Sequence, residues 1–152
     1  METQILERQK TKNVDLQALN QYRIKAVFNL LKYVFVVVPI VAGIDKFTDL
    51  LVNWDKYLNP GMARMLPFQV HTFMMIVGVI EVVAGIIVFI RPALGGFIVS
   101  AWLALIAMTL LASGNYLDVA VRDLVMAISA FSMATLAKTI LSSENKKESK
   151  WN

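Results

Sequence analysis

The chain has 152 residues, 57% apolar and 17% charged, whereas ordinary soluble domains run near ~45–50% and ~25%. A soluble chain this short buries only about two-thirds of its surface, so this composition would leave large apolar patches in water and argues against a free-standing soluble domain. With no cysteine and one histidine, these residues supply no disulfide, thiolate nucleophile, cysteine-ligated cluster, bis-histidine haem site or HExxH-type zinc site. The net charge of +4 does not point to nucleic acid, because the basic residues flank apolar segments instead of sharing one face with aromatics.

Residues 1–25 are hydrophilic and basic, too polar and too long before the apolar run for an ordinary secretory signal peptide. Leu16, Leu19, Tyr22 and Ala26 recur at helical spacing, so this arm reads either as an interfacial helix leading into the membrane or as a partly disordered anchor. The first span, 26–44, carries Asn29 and Lys32 near one end, where a lysine stem can snorkel, and Pro39, where a kink is expected. In the following loop, Asp45 to Gln69, residues Phe47, Leu50, Leu51, Trp54 and Leu58 fall on one helix face. The pattern predicts an amphipathic helix that ends at Asn59-Pro60-Gly61 and lies over the bundle mouth.

Val70 to Ile90 is the strongest span, 21 residues with one acid and one histidine, close to the ~20 needed to cross hydrocarbon. A third span covers 93–112 without a charge, and a fourth covers 119–141 with Arg122 and Asp123 near its start and Lys138 near its end. The tail 142–152 is polar and expected to be disordered. The fold class is therefore all-α, a polytopic four-transmembrane-helix bundle comprising residues 26–141.

Four spans put both termini on one side. Of the 15 lysines and arginines, only Lys46, Lys56, Arg64 and Arg122 fall on the other side. The positive-inside rule then places both termini in the cytoplasm, with the Asp45–Gln69 loop and the Ser113–Asp118 turn outside.

Membrane helices associate through small residues and polar pairs, and each later span shows such a seam. The seams are His71, Met74, Gly78, Glu81 and Gly85; Gly96, Ser100, Ala104, Ala107, Leu111 and Gly114; and Asp123, Ala127, Ala130, Ala134 and Ala137. Glu81 stands eleven residues beyond Val70, about 16 Å along the helix and near the bilayer midplane. A charge there costs ~2.5–3.5 kcal/mol on insertion scales, so the carboxyl should be neutral, paired with a cation, or facing a water-filled cavity. Arg122, roughly two turns higher on the fourth span, is the expected partner.

Asp45, Lys46, His71, Asn115, Tyr116, Asp118, Arg122 and Asp123 converge on the same outer half. A shared inward pocket accounts for them most economically. Each also has a structural reading: Glu81 as an interhelical tie, Arg122 with Asp118 or Asp123 as an interfacial ion pair, Asp45 and Lys46 as boundary markers, and His71 as a helix-end residue. Trp102 and the eight methionines read as lipid-facing or core filler. No metal site, nucleophile triad or phosphate-cradling loop is visible.

Three short motifs resemble the DoxX-like family of small, mostly bacterial, four-span membrane proteins: Gly43-Ile-Asp-Lys46, Gly78-Val-Ile-Glu81-Val-Val-Ala-Gly85 followed by Arg91, and Gly114-Asn-Tyr-Leu-Asp118 leading to Arg122-Asp123-Leu124. The resemblance covers roughly residues 26 to 140. It implies a bacterial inner-membrane protein with a link to oxidoreduction, since a related protein is a subunit of a thiosulfate:quinone oxidoreductase, while others accompany soluble redox enzymes or serve cargo handling or assembly. Without thiols, a redox role requires a quinone or the cofactor of a redox protein partner.

Two classes of function follow. In one, Glu81 is the proton carrier of a quinone site whose mouth is lined by His71, Tyr116, Arg122 and Asp123. In the other, the chain is an accessory or anchor subunit whose ionisable cluster fixes the bundle. A small-molecule or proton pathway is the third possibility, without the internal repeat and broken helices of many transporters.

Overall fold

The computed structural model describes residues 1–58, 60–64, 66–67, 69–114 and 116–148. The elements are α1 (Glu2–Thr48), a 3₁₀ turn (Trp54–Tyr57), α2 (Pro60–Ala63), α3 (Val70–Ile90), α4 (Pro92–Ser113) and α5 (Leu117–Glu148), with no strand among the described residues. The four long helices are each long and apolar enough to cross a membrane.

Local chemistry sets the breaks. Helix α1 stops at Asp49, in the left-handed region (φ 48°, ψ 34°), with its N–H donating to the Asp45 carbonyl at 2.7 Å. Arg91 alone separates α3 from α4, and Pro92 opens α4, where a missing N–H costs no helix bond. Gly114, at φ 68°, closes α4 by donating to the Leu111 carbonyl at 3.1 Å.

The bundle consists of two antiparallel pairs. In α1–α3, Gly43 and Gly78 meet so closely that a Cβ on either would lie 2.5 to 2.6 Å from the other's carbonyl oxygen. Gly85 likewise faces Val36 and Ile40, and Lys32 Nζ lies 5.3 Å from the Phe89 ring centroid. In α4–α5, Gly96 faces Ala130, Met133 and Ala134, and Ser100 Oγ donates to the Ala127 carbonyl at 2.8 Å. All four helices contribute to one core of Phe35, Ala84, Val88, Val99, Ala130 and Met133. The chain ends lie at the termini end of the bundle, and the α1–α3 and α4–α5 connections at the loop end.

The alanine seam of the fourth span is buried throughout, from Asp123 to Ala137. In the third span Gly96 and Ala107 are buried, but Leu110 replaces Leu111 in the core, and Gly114 is exposed at the helix end. Of the two readings of the arm, the helix leading into the first span agrees with the structure and the disordered anchor does not, because α1 runs unbroken from Glu2 through Pro39. Two further expectations are revised. The tail stays helical to Glu148, since its Glu and Lys residues favour helix; residues 149–152 lie outside the described residues.

No amphipathic helix spans 47–58. Phe47 and Thr48 finish α1, and the chain then turns, because aspartate side chains take the backbone N–H groups that a continuing helix would need. Asp45 Oδ1 accepts from Leu50 N at 3.1 Å and Leu51 N at 2.9 Å, and Asp49 Oδ1 from Trp54 N at 3.5 Å. Asn59, the first residue of the expected stop, lies outside the described residues.

Candidate functional site: a buried ion pair beneath a tryptophan

Side chains lean toward the N-terminus of their own helix. In an antiparallel pair they therefore lean toward each other, and the glycine contact brings the two backbones within reach. Lys46, near the end of α1, points back into the bundle, while Glu81, midway along α3, points toward the loop end. Lys46 Nζ donates to Glu81 Oε2 at 2.7 Å, with the two side chains 4% and 16% exposed. Lys46, not Arg122, is thus the partner of Glu81. The Arg122 side chain is 63% exposed, and its Nε lies 3.4 Å from Asp123 Oδ1.

Trp54 roofs the pair. Its ring centroid lies 3.6 Å from Lys46 Nζ, a cation–π contact, and its indole N–H donates to Asp45 Oδ2 at 2.7 Å. With one oxygen taking two backbone N–H groups and the other the indole, Asp45 is buried but fully engaged. A carboxylate so bonded tolerates enclosure. Asp45, Lys46, Glu81 and Trp54 therefore form one closed unit that fastens the loop segment to α1 and α3.

Asp123, 7% exposed on α5, interacts electrostatically with both Lys46 and Glu81. The cluster accordingly holds more buried carboxylates than cations. The other predicted residues lie at its rim. His71 Nδ1 is 3.9 Å from Asp49 Oδ2 and 3.7 Å from Asp55 Oδ1, beyond hydrogen-bonding range. Tyr116 adopts a positive φ of 56° and donates its hydroxyl to the Lys56 carbonyl at 2.8 Å, tying the α4–α5 connection to the 3₁₀ turn. Asp118 is exposed and joins none of the ion pairs found among the described residues. Asn115 lies outside the described residues.

The structure thus brings Asp45, Lys46, Glu81 and Asp123 together, and leaves His71, Tyr116, Asp118 and Arg122 at the surface around them. Sequence reasoning missed Trp54 as a member. Its signal was an aromatic eight residues after a lysine at a span end, which the helical-face pattern absorbed. No group of three metal-ligating His, Cys, Asp or Glu side chains is formed among the described residues. Comparison of the chain with protein-family models, with curated proteins and with solved structures finds no match.

Proposed function

We propose that this chain is a DoxX-like, multi-pass accessory or anchor subunit of a membrane-associated redox system, with both termini cytoplasmic in a bacterial inner membrane. The observation that carries the reading is the closure of the Lys46–Glu81 pair beneath Trp54. Both charged groups are engaged by the protein, so the pair serves to hold the loop segment in one position and leaves the exposed loop face to meet a partner. Gentle purification from native membranes, followed by mass spectrometry of proteins and lipids, tests this. The expected result is a stoichiometric partner carrying its own redox cofactor, with Glu81→Gln lowering stability and assembly together. A chain that purifies alone, or a partner without redox chemistry, overturns it. Reporter fusions at the two ends test the orientation.

One observation favours a second reading, in which Glu81 is the proton carrier of a quinone-linked subunit. Asp123 places a further buried carboxylate near the Lys46–Glu81 pair, with only the largely exposed Arg122 guanidinium against it, an arrangement suited to holding an additional proton. Copurifying quinone, with turnover lost in Glu81→Gln while quinone stays bound, is the result this reading requires.

A further inference from the structure

At the loop end, above the buried pair, ionisable side chains from three elements meet. Asp49 caps α1, Asp55 lies in the 3₁₀ turn, and His71 stands in the first turn of α3. His71 Nδ1 is 3.9 Å from Asp49 Oδ2 and 3.7 Å from Asp55 Oδ1, within ion-pair range and just too far for a hydrogen bond. All three side chains are partly exposed, so the imidazole exchanges protons with water. Asp55 Oδ1 is nonetheless enclosed, and it accepts no hydrogen bond from a described residue. An acceptor in that state lacks the donor that would offset its desolvation.

Both carboxylates bear on Trp54. Asp49 Oδ1 accepts from the Trp54 N–H at 3.5 Å, and Asp55 is the next residue along the chain. The segment that roofs Lys46 therefore meets α3 at a histidine. Histidine is the side chain that changes charge between about pH 5 and pH 8, and this chain has one. As an imidazolium, His71 is drawn to both carboxylates, and closing the gap to Asp55 gives the enclosed oxygen its donor. As a neutral ring it sets no charge between them, and the two aspartates repel each other.

The surrounding groups do not substitute for it. On α1, Asp45 is bonded to the Leu50 and Leu51 amides and the Trp54 indole, and Lys46 is paired with Glu81. Lys56 of the 3₁₀ turn, Arg64 before α3, and Asp118 and Arg122 of α5 are exposed, Asp123 is held beside Arg122, and α4 contains no titratable residue.

We propose that His71 is a proton-operated latch on the Trp54 roof. Protonated, it clamps the 3₁₀ turn to α3 through Asp49 and Asp55 and keeps the Lys46–Glu81 pair covered. Deprotonated, it releases the segment and admits water to the pair. The hold is present at low pH and lost as the pH rises through the titration of the imidazole. It is a property of the loop segment and requires neither a redox partner nor a quinone.

Replacing Trp102 and Trp151 by Phe leaves Trp54 as the lone fluorophore of the full chain. Acrylamide quenching of that chain in detergent, with EDTA present so that no metal stands in for the proton, reads how well the ring is covered. The quenching constant should be about twofold lower at about pH 5.5 than at about pH 8. His71→Gln should give the high value at both, and His71→Lys, which stays cationic, the low value at both. Asp55→Asn, which keeps the side-chain shape without the charge, should at least halve the pH response, with helicity checked by circular dichroism. A constant that does not change with pH in the parent chain, or a full response in Asp55→Asn, would overturn the inference. A response that survives His71→Gln would do so too, and would assign the titration to the buried carboxylates Glu81 and Asp123.

Discussion

The two helix pairs reach close contact by different chemistry. In α1–α3, glycine lies against glycine, and a buried ion pair bridges the helices one turn away. In α4–α5, the approach runs along alanines, with Ser100 bonded to a backbone carbonyl. Along its alanine seam the second pair can absorb a local change because, apart from Asp123 at the loop end, no charge is buried there. The first cannot, because moving either helix strands a charge. Packing by small residues holds both pairs, but only in the first does it also set the geometry of a site.

The largest effect expected from this difference comes from Lys46→Met, which leaves Glu81 enclosed without its cation and should cost roughly 3–5 kcal/mol. Thermal unfolding in detergent checks it. Arg122→Met, whose guanidinium is 63% exposed although it lies 3.4 Å from the buried Asp123 carboxylate, should cost clearly less. If the two variants prove alike, the pair assignment fails. Adding Glu81→Leu to Lys46→Met should recover much of the loss, since a matched apolar pair removes the stranded charge.

Next is Gly43→Ala, whose Cβ meets backbone at Gly78 and should cost about 1–3 kcal/mol. Gly96→Ala should cost less, because its closest neighbour is the flexible end of Met133. The order of the two melting temperatures decides the point. Tyr116→Phe removes the bond to the Lys56 carbonyl and should cost about 1 kcal/mol, seen most clearly as faster proteolysis of the 49–58 segment. Smallest of all is Ser100→Ala, at about 0.6 kcal/mol, since membrane hydrogen bonds contribute modestly on average.

Much of this architecture was legible in the sequence because hydropathy and small-residue spacing are local properties. The spans expected at 70–90 and 93–112 match α3 and α4 to within a residue, and every residue of the Asp123–Ala137 seam is buried. Glu81 was identified as needing a cation by its depth alone. Its partner was not legible, because that depends on the register between α1 and α3, which Gly43 and Gly78 set across 35 residues of sequence. Arg122 matched by height alone, yet the lean of side chains in an antiparallel pair gave Lys46 the shorter path. The 47–58 segment misled for a different reason. Its apolar spacing is helical, but Asp45 and Asp49 compete for the amides, and a periodicity argument does not count hydrogen bonds.

The length of α1 has a mechanical consequence. Phe28 still packs against the core, and Lys25, Phe28 and Asn29 share a cleft with Pro92 at the α3–α4 turn, so about twenty-four residues, some 36 Å of helix, reach beyond it. A single rod joins that extension to the ammonium of Lys46. Axial sliding of the rod would drive Gly43 against the Gly78 backbone, and a rotation of about 100°, the angle between successive residues, would swing the ammonium away from its carboxylate. Whatever grips the distal lever is therefore felt at the opposite end of the bundle.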